Sequence, residues 1–150
     1  MAGGPPPSDR GATGARRSAV PDNVLLLGNC LKLMKTLPAG SMDCVLTDLP
    51  YGTTDNKWDC VIPMDQLWAA WRRVLRSGAP VILFTQQPFT TIVAASNLKQ
   101  LKTEWIWEKH QGTGFLNCKK YPLKIHENVL VFCDRLPPYW PQKCGGGGAI

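Results

Sequence analysis

The chain has 150 residues, a formal net charge of +6 and 44% hydrophobic residues, which is the size and composition of one globular domain. It contains no run of 18 apolar residues, which excludes an ordinary transmembrane helix. The first residues carry no apolar signal-peptide core. These features predict a cytoplasmic protein with no membrane partner.

The two ends of the chain differ in composition from its middle. Residues 1–23 are mostly Gly, Pro, Ala, Ser and Arg, which predicts a disordered N-terminal extension. Its arginines, Arg10, Arg16 and Arg17, fit a nucleic-acid contact, an organelle-targeting stretch or a solvated tail. Residues 136–150 contain Pro137-Pro138 and the run Gly145–Gly148, which predicts an unstructured tail. The packed domain is therefore expected at residues 24–135.

The cysteines show no metal-site spacing. No pair follows a C-x₂₋₄-C pattern, and the two histidines, His110 and His126, stand apart from them. We therefore expect free thiols, a reducing compartment and no metal site. The six residues are Cys30, Cys44, Cys60, Cys118, Cys133 and Cys144.

In chain order, the first predicted elements are a strand, a helix and a second strand. The apolar run Val24–Leu27 predicts the first strand. Apolar residues then recur at helical spacing from Cys30 to Leu37, with Asn29 placed as a cap and Pro38 as a stop. The second strand is predicted over residues 44–47, where the absence of polar alternation indicates burial on both faces.

The remaining elements continue the alternation. A helix is predicted from Pro63 to about Leu75, with Arg72, Arg73 and Arg76 explained by its dipole. A buried strand over residues 80–85, a weaker helix over 88–98 and strands over 103–109 and 128–132 follow. This order predicts an α/β fold with a mostly parallel sheet, helices on both faces and an antiparallel final strand.

The segment Thr47–Gly52 follows a buried strand directly, where open α/β sheets bind ligands. Asp48 offers a carboxylate there, and Pro50 biases Leu49 towards an extended backbone with a free carbonyl. Two acceptors beside the ring of Tyr51 would bind a planar group that carries an NH₂. A turn that merely exposes an aspartate and a tyrosine fits the same pattern.

The tetrapeptide Asp48-Leu49-Pro50-Tyr51 resembles the Asp-Pro-Pro-Tyr box of the amino-methyltransferases, which transfer a methyl group from S-adenosylmethionine to adenine N6 or cytosine N4. Flanking segments are similar to a phage and bacterial branch of site-specific DNA methyltransferases, and the resemblance covers residues 24–142. These segments are Gly28–Pro38, Asp43–Thr47, Gly52–Thr54, Lys57–Asp59, Gln87–Phe89, Trp105–Lys109, Gly114–Asn117 and His126–Phe132.

The resemblance implies a role for each residue of the box. Asp48, the Leu49 carbonyl and Pro50 would hold the target amine, while Tyr51 would stack on a base flipped out of DNA. Aspartate at the first position favours adenine over cytosine, and Leu49 replaces the commoner proline at a position where only the carbonyl is needed. The resemblance further implies a Rossmann-like methyltransferase sheet, S-adenosylmethionine as cofactor, DNA as partner, and restriction-modification in a bacterial or phage-infected cell.

The cofactor motif of this family, Phe-x-Gly-x-Gly after a strand, is not found in the sequence. The glycines near Gly112 lie between two predicted strands, and no strand precedes Gly145–Gly148. The resemblance is therefore to the N-terminal catalytic half of an enzyme, with an incomplete sheet and the second half missing or on a second chain. Cofactor candidates are Asp48 and, at the end of the first predicted strand, Asn29 and Cys30.

Basic and aromatic residues interleave after residue 103. The candidate DNA contacts are Lys109, Phe115, Asn117, Lys119 and Lys120, with a solvated face as the alternative. His126-Glu127 is either an acid–base pair or structural.

Three functions fit the sequence: a DNA adenine-N6 methyltransferase, a non-catalytic remnant with weak or no DNA binding, and a methyltransferase for glutamine side-chain amides in a protein.

Overall fold

The computed structural model describes residues 23–136. The predicted N-terminal extension, apart from Asn23, and the predicted tail, apart from Leu136, lie outside the described residues. The elements in chain order are α1 (Cys30–Met34), β1 (Val45–Asp48), α2 (Met64–Val74), β2 (Val81–Thr85), α3 (Phe89–Ser96), β3 (Leu101–Thr113), a 3-10 turn (Phe115–Asn117) and β4 (Lys124–Phe132).

The four strands form one sheet in the order β1-β2-β4-β3. β1 and β2 are parallel, and β4 is antiparallel to both of its neighbours. Strands β1, β2 and β3 therefore run in one direction and the final strand runs in the other. This confirms the prediction of a mostly parallel sheet with an antiparallel final strand.

The predicted first strand is wrong. Residues Val24–Leu27 form no strand, and the side chains of Leu25 and Leu27 are 97% and 99% exposed. An apolar run becomes a strand only where a neighbouring strand offers backbone partners. Among the described residues, β1 is the edge of the sheet, and residues 24–27 do not pair with it.

α2 and α3 lie close to their predicted bounds, whereas α1 begins as predicted but ends at Met34 rather than at Pro38. The Asn29 side chain accepts a hydrogen bond from the Lys32 N–H at 3.1 Å and so caps α1. Pro63 immediately precedes α2, whose last turn carries Arg72 and Arg73. The buried residues of α2 recur at helical spacing and form one apolar stripe; they are Leu67, Trp68, Trp71 and Val74.

The core lies on one face of the sheet. Alternate residues of β2 and β4 point to that face, where they pack against α2 and α3, and α1 packs against α2. The core cluster consists of Leu67, Trp68, Trp71, Val81, Leu83, Phe89, Val93, Leu130 and Phe132.

The expected second layer of helices is not present among residues 23–136. The face opposite the core carries Leu46, Ile82, Phe84, Trp105 and Trp107, which line a shallow apolar cleft of about 510 Å³. We call this surface the open face. β2 is a continuous apolar run over Val81–Phe84, yet Ile82 and Phe84 line the open face. The apolar run therefore did not reveal that the second side of this strand is uncovered among residues 23–136.

Candidate active site

The carboxyl edge of the sheet is the edge at which β1, β2 and β3 end and β4 begins. Asp48 is the last residue of β1 and lies opposite Phe84 of β2. Its side chain is exposed. The structure therefore places this carboxylate where open α/β sheets bind their ligands.

Tyr51 is fixed between Asp48 and the core. Its hydroxyl donates a hydrogen bond to Asp48 Oδ1 at 2.7 Å, and its ring stacks on Phe89 with the centroids 5.1 Å apart and the planes 28° apart. Burial, and then the hydrogen bond to Asp48, raises the pKa of Tyr51 above its ordinary value. The hydroxyl therefore stays protonated and donating at neutral pH. Phe89 covers part of one ring face, so a stacked ligand would use the other.

Leu49 and Pro50 connect these two side chains. The Leu49 side chain packs against the core cluster, and Pro50 is half-buried. Within residues 23–136, the Leu49 carbonyl and Asp48 Oδ2 accept no hydrogen bond from another residue. The box thus presents two free acceptors at the end of β1, beside a tyrosine whose hydroxyl is already engaged.

Asp59 organises the segment that follows the box, a role that sequence analysis missed. Its Oδ1 accepts the Gly52 N–H at 2.8 Å. Its Oδ2 accepts the Thr53 N–H at 2.9 Å, the Thr54 N–H at 2.7 Å and the Thr54 hydroxyl at 2.8 Å. Asp59 is only 7% exposed. The resemblance includes Asp59 in the segment Lys57–Asp59 and leaves out the exposed Asp55, but it assigns Asp59 no role. Its partners are mainly backbone groups, so residue type alone does not reveal that role.

Gly52 allows the loop to close on itself. Its φ is +66°, and a Cβ at this position would lie 2.7 Å from Val61 Cγ2. We expect Gly52→Ala to destabilise the fold by more than the roughly 1–2 kcal/mol that a left-handed backbone costs a non-glycine residue, since the clash adds to that cost. Urea unfolding measures the difference. Gly40→Ala is the matched control, with φ +63° and no atom within 4 Å of the added Cβ; equal losses for the two variants would contradict the clash.

The hydrogen bonds to Asp59 make stability depend on acid pH. The Gly52 N–H, followed by the Thr54 and Thr53 groups, holds the pKa of Asp59 below its ordinary value of 3.8, against the opposing effect of burial. Because the pKa is lower in the folded chain, this stabilisation is complete above the unfolded-state pKa, about 4, and is lost as the pH falls through the folded value. Denaturant unfolding at pH 6 and pH 3 should show a smaller acid loss for Asp59→Asn than for the unmodified chain. Equal acid losses would exclude this contribution.

The two secondary cofactor candidates are not where the sequence placed them. No strand precedes Asn29 and Cys30 within the described residues, and the Asn29 side-chain oxygen is used in capping α1. Cys30 is the exposed first residue of that helix. Of the three candidates, only Asp48 lies at the end of a strand.

The candidate DNA contacts lie on a hairpin that projects from the carboxyl edge. β4 pairs with β2 only from Asn128 onwards, so residues 124–127 and their partners in β3 extend beyond the end of β2. We call residues 107–127 the projecting hairpin. At its tip, Phe115, Asn117, Lys119 and Lys120 are exposed. Asn117 also lines an open cleft of about 470 Å³ with Gln86 and Lys124.

Lys109 differs from the other candidates because it forms an ion pair with Glu127 across the hairpin. Its charge is therefore neutralised locally and is less available for a phosphate. His126 and Glu127 are adjacent in β4, so their side chains point to opposite faces of the hairpin and do not form an acid–base pair with each other. Glu127 joins Lys109, and His126 lies opposite Glu108.

The described part of the chain holds five free cysteines, of which Cys133 is buried. Residues 23–136 contain no cluster of three or more metal-ligating side chains. In the same range, no helix has the length and apolar character needed to cross a bilayer. Cys144 lies outside the described residues.

Neither a family model nor a curated protein sequence matches the chain. Solved structures with the same fold do exist. The chain is similar to M1.HpyAVI in its complex with SAM, with a TM-score of 0.51, 14% identity and coverage of 80% of this chain and 57% of that one. It is similar to the PvuII DNA methyltransferase (cytosine-N4-specific), with a TM-score of 0.58, 11% identity and coverage of 75% and 49%.

A third similar structure is TTHA0409 from Thermus thermophilus, provisionally named a DNA modification methylase and complexed with S-adenosyl-L-methionine. Its TM-score is 0.52 at 15% identity, with coverage of 79% of this chain and 57% of that one. At these identities the likeness shows the fold. The chain thus has a partial Rossmann-like fold shared with DNA methyltransferases and spans about half of their length.

Proposed function

We propose that this chain is the catalytic half of a DNA amino-methyltransferase that methylates adenine N6. One observation carries the proposal. The segment Asp48–Tyr51 lies at the carboxyl edge of a methyltransferase fold, with the Asp48 carboxylate exposed and the Tyr51 hydroxyl bonded to it. The solved structures with this fold include enzymes named as DNA methyltransferases and complexes with S-adenosyl-L-methionine.

The chemistry of the box suits an exocyclic base amine. Such an amine is a poor nucleophile because its lone pair is delocalised into the ring. Asp48 Oδ2 and the Leu49 carbonyl would accept its two hydrogens, which draws the nitrogen towards tetrahedral geometry and directs its lone pair out of the ring plane. Catalysis would thus come mainly from orientation and from acceptors fixed before the base arrives. When bound, S-adenosylmethionine would supply the methyl group from its positively charged sulfur, which would leave as a neutral thioether, and the methylated nitrogen would then release one proton.

The described residues fit only part of that cofactor. The Asp48 carboxylate complements a cationic sulfur, but the described glycines form no cradle of N–H groups for the methionine carboxylate. Gly112 lies within β3, where an added Cβ would come 2.8 Å from Leu123 Cβ. Gly114 opens a 3-10 turn. The proposal therefore assigns the remaining cofactor contacts to residues outside 23–136, in a longer chain or on a second one.

Adenine is the proposed target because aspartate stands first in the box, at position 48. The fold does not decide between the bases, since a cytosine-N4-specific enzyme shares it. The projecting hairpin supports DNA as the partner, because the exposed Lys119 and Lys120 at its tip suit contacts with phosphates. A restriction-modification role in the cytoplasm of a bacterial or phage-infected cell belongs to the same proposal.

The test is methyl transfer from labelled S-adenosylmethionine to mixed-sequence duplex DNA, followed by digestion and chromatography of the nucleosides. The expected product is N6-methyldeoxyadenosine, and calorimetry should show saturable cofactor binding. N4-methyldeoxycytidine would overturn the choice of base. The assay uses the chain joined to, or mixed with, the half that supplies the remaining cofactor contacts. The absence of both product and binding in that form would overturn the proposal in favour of a non-catalytic remnant.

The open face predicts how the chain behaves in solution. Leu46 is 65% exposed and Trp105 and Trp107 are each 53% exposed, and a continuous apolar surface of this kind drives association. We expect concentration-dependent self-association in sedimentation velocity, reduced by Trp105→Lys. Ile92→Lys is the matched control, because Ile92 is also 53% exposed but lies on α3. A monomer at all concentrations, or equal effects of the two variants, would contradict the prediction.

A further inference from the structure

We infer that Asp59 is a positioning residue, which orients the Asp48–Tyr51 box by anchoring the backbone immediately after it. The inference rests on the proposed function, which gives the box its role. Asp59 itself touches neither the box side chains nor any expected substrate atom. It acts through Gly52, Thr53 and Thr54.

The Asp48–Tyr51 box is held at both of its ends. Its N-terminal end is fixed because Asp48 belongs to β1 and pairs with β2. Leu49 and Pro50 have no strand partner. The Leu49 side chain is held by the core cluster, but the direction of the backbone after it also depends on where the chain goes next. It goes directly into Gly52, whose N–H is bound by Asp59 Oδ1. The box is thus a short bridge anchored at both ends.

Asp59 holds the chain after the box through several hydrogen bonds. Four donors bind one carboxylate, and its two oxygens divide between Gly52 on one side and Thr53 and Thr54 on the other. Charge-assisted hydrogen bonds of this kind are about twice as strong as neutral ones. The close approach of Val61 to Gly52 restricts the same loop independently of the Asp59 carboxylate. Together they fix the direction in which the chain leaves Tyr51.

The position of Tyr51 depends on the Asp59 anchor. Its hydroxyl reaches Asp48 and its ring stacks on Phe89 only while its backbone stays in place. Loss of the anchor would free the C-terminal end of the bridge and shift Tyr51 and the Leu49 carbonyl together. Misplacement by about 1 Å costs on the order of 100-fold in rate. The expected loss is in kcat, since Asp59 is not part of the projecting hairpin, which carries the candidate DNA contacts.

The experiment compares the unmodified chain with Asp59→Asn and with Asp55→Asn, an exposed carboxylate of the same loop. Two-dimensional NMR follows amide exchange at residues 52–54 and the ring carbon that carries the Tyr51 hydroxyl. We expect Asp59→Asn to speed amide exchange by at least about tenfold and to shift the Tyr51 signal, with neither change in Asp55→Asn. Where activity is measured, Asp59→Asn should lower kcat about 100-fold and leave KM for DNA nearly unchanged.

The outcomes separate this inference from the proposed function. Faster amide exchange with an unmoved Tyr51 signal would make Asp59 a local loop anchor and overturn the inference, whatever the enzyme assay shows. A shifted signal in a chain without methyl transfer would support the positioning role and count against the proposed function alone. Should Asp59→Asn fail to fold, Thr54→Val removes one of the four hydrogen bonds to Asp59, together with the two that the Thr54 hydroxyl oxygen accepts from Asn56. It should shift Tyr51 in the same direction by a smaller amount, and an unmoved Tyr51 signal would overturn the inference.

Discussion

Asp48→Ala should lower kcat for methyl transfer by about 1000-fold or more, the upper range for removal of one preorganised polar group from an active site. The variant loses the charge at the end of β1 and the acceptor of the Tyr51 hydroxyl. The two losses together would leave the target amine planar and without a fixed orientation. Incorporation of labelled methyl groups into DNA measures the effect. The assay uses the form of the enzyme that binds S-adenosylmethionine.

Two variants make the Asp48 result interpretable. Asp55→Ala removes an exposed carboxylate seven residues away and should keep full activity. Tyr51→Phe removes only the hydroxyl that binds Asp48, so we expect a loss of about tenfold, corresponding to one hydrogen bond. Unmodified turnover in Asp48→Ala would show that the carboxylate takes no part in catalysis.

Phe89→Ala should destabilise the fold by about 3–5 kcal/mol, the usual cost of truncating a buried aromatic side chain. Phe89 is 2% exposed and belongs to the core cluster. A typical domain has only about 5–15 kcal/mol of stability, so the loss should be evident as a much lower urea midpoint. An unchanged midpoint would mean that Phe89 is not packed as described.

Phe132→Ala is the matched control for this variant. Phe132 is equally buried and contacts Trp68 with a centroid distance of 4.9 Å, far from the box in the sequence. Both variants should lose similar stability, but only Phe89→Ala removes the stacking partner of Tyr51. Equal changes in the Tyr51 NMR signal in the two variants would show that the stacking is not specific.

The helices and most strands were predictable because their signals are local. The cap at Asn29, the proline before α2 and the apolar runs of β2 and β4 each act within a few residues. The antiparallel final strand was predictable because no helix separates β3 from β4. The placement of Asp48 at a strand end follows from the same local patterns.

Val24–Leu27 shows the limit of those signals. Its composition is that of a strand, yet a strand also requires a neighbour with free backbone groups. None pairs with it among residues 23–136. The second expected helical layer is absent from residues 23–136 for a related reason, since burial of a strand on its second face depends on residues distant in the chain.

The sequence by itself determined the chemistry at the end of β1: a carboxylate, a carbonyl and a tyrosine within four residues, Asp48–Tyr51. Only the tertiary structure decided which partners hold them. Asp59 differs from Asp55 because folding brings it to three successive backbone N–H groups, and Lys109 differs from Lys119 because β4 places Glu127 opposite it. The physical reason is that residue type sets what a group can bind, whereas its surroundings after folding set what it does bind.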